Sequence, residues 1–318
     1  MYRTIEEDKA EEVMRMRKVV LPGGSGFLGE ALADYLIARG YEVVILTRSS
    51  SRGESPRRYV QWDGKTRGDW VREISGSTAV VNFTGKSVNC IYTPKNKQEI
   101  LQSRLDSVGV LHDVIKSSDD PPNAFIQAGS LAIFGDTTDV CDETAPHGTG
   151  FSVDVCQRWE EAFFSQEHIG TRRVLLRIGF ALGKNGGALE PLRKLANRRL
   201  GGTVGSGKQY ISWIHLDDLN EMFLTVIEQE EFEGIFNATG PSPVTNKEFM
   251  KTLRFVLNKG WSPKAPTPLV KLGAYVIMRA APELALTGRR CVPDRFLRRG
   301  FTFRYMNLEQ ALQEIINE

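Results

Sequence analysis

Cysteine is sparse and shows no pairing pattern: Cys90, Cys141, Cys156 and Cys291 are scattered, with no C-x-x-C. A disulfide framework is therefore not expected, and free thiols in a reducing, cytoplasmic setting are. The four histidines, His112, His147, His168 and His215, form no H-E-x-x-H or other ligand spacing, so no metal is expected. Charge of one sign is lacking too. Lys plus Arg is 41 against 39 for Asp plus Glu, a net of +2. This gives no global electrostatic case for nucleic acid or an acidic membrane. No stretch approaches the ~18 apolar residues of a membrane span. The opening MYRTIEEDKAEEVMRM is acidic and has no apolar h-region. It is expected to be a charged tail over 1–16, not a secretory signal, with a true start at Met14 or Met16 as the alternative.

The chain does hold enough apolar material for a core. It has 318 residues, 41% of them hydrophobic and 25% charged, which fits two domains or one large domain with an appendage. From residue 17 a pattern emerges. Lys18 to Leu21 is a short β-branched run, Pro22 to Gly26 breaks it, and Phe27 to Arg39 carries apolar residues at helical spacing. Tyr41 to Leu46 is a second buried strand, completing a βαβ unit. Strands are expected over 58–61, 78–83, 124–127 and 173–178, and helices over 95–115 and 153–164. This alternation predicts an α/β fold: a doubly wound parallel sheet of the NAD(P)-binding Rossmann type. After residue 183 glycines and prolines loosen the pattern. A small mixed C-terminal lobe is expected, with a cofactor-binding domain over 17–260, cap segments interleaved after 183, and a small domain over 261–318.

The first βα turn reads Gly23-Gly24-Ser25-Gly26-Phe27-Leu28-Gly29. It fits both G-x-G-x-x-G and G-x-x-G-x-x-G. Such glycines allow a tight turn, close backbone approach to a pyrophosphate, and close helix–strand packing. The helix N-terminus adds free N–H groups and a positive dipole end. At the end of the second strand an NAD enzyme carries an acid for the ribose 2′-OH. Here the residues are Thr47-Arg48-Ser49-Ser50-Ser51-Arg52, with no acid before Glu54. An arginine among hydroxyls suits a 2′-phosphate, so NADP(H) is the expected cofactor; a solvated Arg48 is the alternative. Gly202-x-x-x-x-Gly207-Lys208-Gln209 nearly spells a P-loop. Gln209 replaces the Mg²⁺-binding hydroxyl and the following residues read as strand, so an ATPase is not expected.

The segments GGSGFLG, LTR (46–48), VVNFTG (80–85), KQEILQSR (97–104), FGD (134–136), WEEA (159–162), LGKNGGAL (182–189), GSGKQYISWIHLDDL (205–219) and NATGPSPVTN (237–246) occur in order. With these, residues 17 to 314 resemble an atypical extended short-chain dehydrogenase/reductase group known as sugar-nucleotide epimerases. Its members carry a short C-terminal domain of unknown function and are sometimes labelled cell-division inhibitors. The resemblance implies that Gly23, Ser25, Gly26, Phe27 and Leu28 hold the pyrophosphate and that Thr47 and Arg48 hold the 2′-phosphate. It implies that Phe83, Thr84 and Gly85 line the adenine-ribose side, and that Glu99, Arg104 and Ala181 complete the cofactor wall. For Glu99 and Arg104 a helix-surface ion pair is equally open, as is a core role for Ala181.

The wider superfamily uses a Ser/Thr with a Tyr-x-x-x-Lys pair, in which Lys lowers the Tyr pKa. None of the eight tyrosines here is followed four residues later by lysine. Alignment on Glu160 puts Ser152 and Cys156 at the Tyr and Lys positions. Ser130 matches the catalytic Ser/Thr position, although a turn-capping serine fits as well. Cys156 is expected to be structural, and His215 to order the 213–218 loop. Gln209, Tyr210 and Trp213 are expected at the cleft mouth, with core packing as the alternative for Trp213. Two functions remain open. One is an NADP(H)-dependent oxidoreductase or epimerase acting on a small carbonyl or sugar-nucleotide substrate. The other is a catalytically weak NADP(H)-binding regulator. A small-molecule substrate is expected, without nucleic-acid or membrane partners; a homodimer is possible.

Overall fold

Short β-branched runs alternating with amphipathic helices settle into one parallel sheet. A computed structural model describes residues 17–167, 170–184, 186–276 and 281–317. The expected tail over 1–16 and His168 lie outside the described residues. The strands are β1 (Lys18–Pro22), β2 (Glu42–Thr47), β3 (Arg57–Gln61), β4 (Ala79–Asn82), β5 (Ala124–Ser130), β6 (Arg172–Ile178) and β7 (Gly234–Ala238). Their order is β7-β6-β5-β4-β1-β2-β3, and every pairing is parallel. The order reverses between β1 and β4, which opens the crevice where doubly wound sheets bind ligands.

Alternation along each strand decides which helices cover which face. The flanking helices are α1 (Phe27–Ile37), α2 (Pro94–Lys116), α3 (Phe151–Phe164) and α4 (Leu216–Glu228). Val19, Leu21, Val43 and Ile45 pack with Leu32 and Leu36 of α1 and Leu219, Met222 and Phe223 of α4. Val20, Val44, Val80 and Phe125 face the other way, onto Val108, Leu111 and Val114 of α2 and Trp159 and Phe163 of α3. Each fully buried Leu or Phe contributes about 1.5–3 kcal/mol, so both helix layers are held mainly by these faces.

A third core forms beside the sheet. Leu182, Leu189 and Trp213 meet Phe249 and Leu253 of α5 (Asn246–Val256) and Leu308, Leu312 and Ile315 of α6 (Leu308–Asn317). Residues on both sides of position 260 thus share one apolar cluster. A Thr245–Glu248 capping box starts α5.

Two features depart from the sequence pattern. Residues 234–238, not expected as a strand, form the sheet edge. The run 210–216 is not one strand but two short ones. Tyr210–Ile211 pairs antiparallel with Val244–Thr245, and Trp213–His215 pairs parallel with Phe180–Leu182. Ser212 between them turns its hydroxyl to Arg289 O, donating at 2.8 Å, and accepts Cys291 N–H at 2.8 Å.

Beneath the C-terminal sheet edge, Arg177 of β6 meets Glu160 of α3 in a two-pronged pair, Nε–Oε1 2.9 Å and Nη2–Oε2 2.8 Å. Their side chains are only 2% and 9% exposed. Removing one partner leaves a buried uncompensated charge, so Arg177→Met should cost about 3–5 kcal/mol in urea denaturation. The double change Arg177→Met with Glu160→Leu should recover most of that loss. Equal losses for the single and double variants would contradict the pairing.

Candidate functional site

The turn after β1 is built by three glycines with three different constraints. Gly23 adopts φ +71°, and a Cβ there would sit 2.8 Å from the Thr84 backbone. A Cβ on Gly29 would lie 2.3 Å from Gly24 O, so only glycine lets α1 press against the turn. Gly26 differs: a Cβ there would meet nothing within 4 Å. Gly26 is also the N-cap of α1 and supplies no side-chain cap. The first N–H groups of the helix therefore open onto free space beside Ser25 and Gly26, both exposed. This is a cradle for an anion approaching the backbone, and it fits a dinucleotide's pyrophosphate.

Phe27 and Leu28 are half-buried at the start of α1. The Phe27 ring is wrapped by the later glycine run: Cβ atoms on Gly183, Gly186 and Gly187 would lie 2.8, 2.8 and 2.7 Å from it. That close wrapping accounts for the glycines of LGKNGGAL. At the end of β2, Thr47 is buried and donates to Ser25 Oγ at 3.2 Å. Arg48 beside it is exposed and forms no ion pair among the described residues.

Across the crevice, Phe83 N–H donates to Pro22 O at 2.8 Å and the Phe83 ring packs on Phe223. Thr84 backs onto Gly23, with its hydroxyl buried and unpartnered. Gly85 makes room for Arg104: a Cβ there would lie 3.0 Å from the guanidinium carbon. Arg104 donates from Nη1 to Ile100 O at 2.8 Å and Lys86 O at 3.1 Å, and lies over the Trp159 ring. Its Nε is buried without an acceptor. Burial pulls its pKa below the usual arginine value, with no carboxylate to oppose this. A Glu99–Arg104 surface pair is not present. Glu99 instead bonds Lys86, which holds its carboxyl below the ordinary range. Ala181 lies half-buried in the 180–182 strand, paired with Ile214.

At the far end, Ser130 closes β5 and accepts Ala132 N–H at 3.2 Å, capping the turn that follows. Ser152 and Cys156 lie one helical turn apart on α3. The Tyr92 hydroxyl is buried beside Ser152 without a well-formed hydrogen bond, and burial raises its pKa. Burial also pushes the Cys156 thiol up to about 12, so it is not a thiolate near neutrality. Trp213 takes the core-packing alternative. It is fully buried in the third core, donating Nε1–H to Ser242 O at 2.8 Å, and does not reach the cleft mouth. Gln209 donates to Val204 O at 3.0 Å, and Tyr210 is half-buried under Arg290. Among the described residues no group of three His, Cys, Asp or Glu could hold a metal ion. No helix among them is long and apolar enough to cross a membrane.

Residues 19–238 match the profile of the NAD dependent epimerase/dehydratase family, and residues 265–315 match a domain of unknown function, DUF1731. The chain belongs to the NAD dependent epimerase/dehydratase family. It is 32% identical to the chloroplastic "Epimerase family protein SDR39U1 homolog" of Arabidopsis thaliana, over 94% of this chain and 86% of that one. It is 31% identical to "Epimerase family protein YfhF" of Bacillus subtilis, over 94% and 97%. Among solved structures, the human epimerase family protein SDR39U1, crystallised with NADPH, superposes with a TM-score of 0.84 at 29% identity, covering 95% and 99%. A Bacillus cereus UDP-glucuronic acid 4-epimerase shares the fold, with a TM-score of 0.74 at 13% identity, covering 94% and 98%.

His215 starts α4 as its N-cap, with Nδ1 accepting Asp217 N–H at 3.1 Å and the ring stacked on Tyr305 at 3.8 Å. Burial lowers its pKa to about 4, against the opposing pull of Asp217. The ring is neutral near pH 7, and its place is structural. Because the unfolded chain binds the extra proton, stability from this site is full above pH ~6.5 and is lost as pH falls toward 4. The loss should reach about 3 kcal/mol at low pH. Denaturation of His215→Asn, which keeps a cap but not the titration, should lack that part of the pH dependence. Identical pH slopes for both proteins would contradict it.

Proposed function

We propose that the protein is an NADP(H)-dependent oxidoreductase or epimerase acting on a small carbonyl or sugar-nucleotide substrate. The observation that carries this reading is the Gly26 cradle, open at a helix N-terminus, beside an exposed Arg48 with no acid at the end of β2. Backbone N–H groups from 26 to 28 and the Ser25 side chain bind the pyrophosphate. Thr47 and Arg48 bind the 2′-phosphate. Phe83, Thr84 and Gly85 line the adenosine side, with Glu99, Arg104 and Ala181 along the wall. Bound NADP(H) supplies or accepts the hydride. Ser130 orients the reacting oxygen by hydrogen bonding.

A specific observation favours slow chemistry. No Tyr-x-x-x-Lys pair is present, the Cys156 thiol is held near 12 and His215 is held near 4. Neither of these two groups titrates near 7, and general acid–base assistance is worth about 10²–10⁴-fold. A weakly catalytic NADP(H)-binding regulator is therefore the second reading.

NADPH should bind more tightly than NADH by roughly 10–100-fold, the worth of one charge-assisted hydrogen bond of about 1.5–3 kcal/mol. Fluorescence titration should show Arg48→Asp losing or inverting that preference. Ser130→Ala should leave NADPH affinity unchanged. Equal affinity of the unaltered protein for both nucleotides would overturn the assignment. Turnover of common ketones or sugar nucleotides at ordinary rates of about 1–10³ per second would overturn the expectation of slow chemistry.

A further inference from the structure

Near-balance of charge over the whole chain conceals a local excess. Residues 189–208 and 245–272 hold eleven lysines and arginines against two glutamates, a net of +9. The rest of the chain, with 30 against 37, carries −7. Eight of the eleven cations are exposed. The two acids do not cancel them. Glu190 is shared between Arg193 at 2.7 Å and Lys194 at 3.3 Å, and Glu248 is held in the α5 capping box. Among the described residues these segments form no other ion pair. The acids of α6, which packs beside α5, are engaged as well: Glu314 with Arg304 at 3.8 Å and Glu309 with Gln313 at 3.2 Å.

Hydrogen bonds join the two segments into one lobe. Arg254 of α5 donates to Gly201 O at 2.6 Å, and Lys247 N–H donates to Gly207 O at 3.1 Å. Ala265 N–H donates to Thr203 O at 2.9 Å, and Gly205 N–H donates to Ala265 O at 2.9 Å. Apolar side chains stand out from the same lobe. The four most exposed large apolar side chains among the described residues all lie here: Trp261 at 81%, Phe255 at 64%, Leu269 at 62% and Leu272 at 60%. Leu269 and Leu272 lie three apart on the helix Thr267–Val276 and so share a face, with Lys271 between them in the chain.

Cations alone would suit any polyanion, nucleic acid included. The leucines decide between them. An exposed leucine pair finds little to bury against on a phosphate backbone, whereas a bilayer offers hydrocarbon beneath its anionic headgroups. Tryptophan favours that same interface, and lysine stems lie along apolar surface while their charge stays in water.

We propose that this lobe docks on the surface of an anionic phospholipid bilayer, with Trp261, Phe255, Leu269 and Leu272 entering the boundary between headgroups and acyl chains. The lysines and arginines face the lipid phosphates. The contact is peripheral, since no helix among the described residues is long and apolar enough to cross a membrane. It uses none of the cofactor residues and does not rest on the NADP(H) reading.

The test is sedimentation of the full-length protein with vesicles of phosphatidylcholine alone and of an equal mixture with phosphatidylserine, read together with tryptophan fluorescence. Trp62, Trp70, Trp159 and Trp213 are buried, so a blue shift on vesicle addition reports Trp261. The anionic vesicles should bind at least roughly tenfold more tightly than the neutral ones, with salt weakening them, and they alone should shift the emission. Lys251→Glu with Lys264→Glu should weaken binding at least roughly tenfold. Trp261→Ala should weaken it roughly fivefold and remove the shift. All three side chains are exposed, so the variants should keep the unfolding midpoint of the unaltered protein. Equal binding to both kinds of vesicle, or binding to neither, overturns the proposal. Anionic-vesicle binding without a blue shift overturns it too, as does preference for a single-stranded RNA at equal phosphate concentration. A blue shift that follows protein concentration without vesicles would assign the patch to a second copy of this chain and overturn the bilayer.

Discussion

The contact between Gly29 and the Gly24 backbone sets the geometry of everything else. With a Cβ at 29 only 2.3 Å from Gly24 O, α1 can start directly beneath the turn only as this glycine-rich sequence. That approach aims the N-terminus of α1 at the point where the strand order reverses, between β1 and β4. The positive end of the helix and its free N–H groups then face the one crevice the sheet topology opens. The Phe27 ring, wrapped by Gly183 and Gly187, ties the same turn to the later half of the chain.

From that turn the crevice runs toward β5, and its character changes along the way. Near Gly26 and Arg48 it is exposed, polar and positive. Beyond β5 the Cys156 thiol is buried in a cluster with Leu131, Ile133, Phe134, Cys141 and Cys291. The first end suits phosphates, which keep partial contact with water. The two ends differ in burial.

The local parts of this arrangement were legible in the sequence. Strand, glycine turn, helix and strand follow one another within residues 18–47, each signalled by its own periodicity. The acid missing after β2 needed only adjacent residues to be read. Features that depend on distant partners were not legible. The strand at 234–238 has three apolar side chains, Ile235, Phe236 and Ala238, and no alternation; β6 alone gives it a place in the sheet. Trp213 reads alike as a stacking platform or a core residue until α5 and α6 are packed over it. Arg289 looks like any arginine in a basic run. Its backbone is held by Tyr210 and Ser212, which lie far from it along the chain. The buried Arg177–Glu160 pair was invisible for the same reason.

The account turns on Gly26 being kept free for a ligand and not for the fold. NADPH titration of Gly26→Ala, with its unfolding free energy measured alongside, tests this most directly. A Cβ there meets no protein atom, and exchanging glycine for alanine at a helix N-cap changes stability by no more than about 1 kcal/mol. The account predicts stability within that margin and NADPH binding weakened by at least roughly tenfold, which is about 1.4 kcal/mol. Wild-type NADPH affinity in Gly26→Ala, or a loss of stability of several kcal/mol, would contradict it.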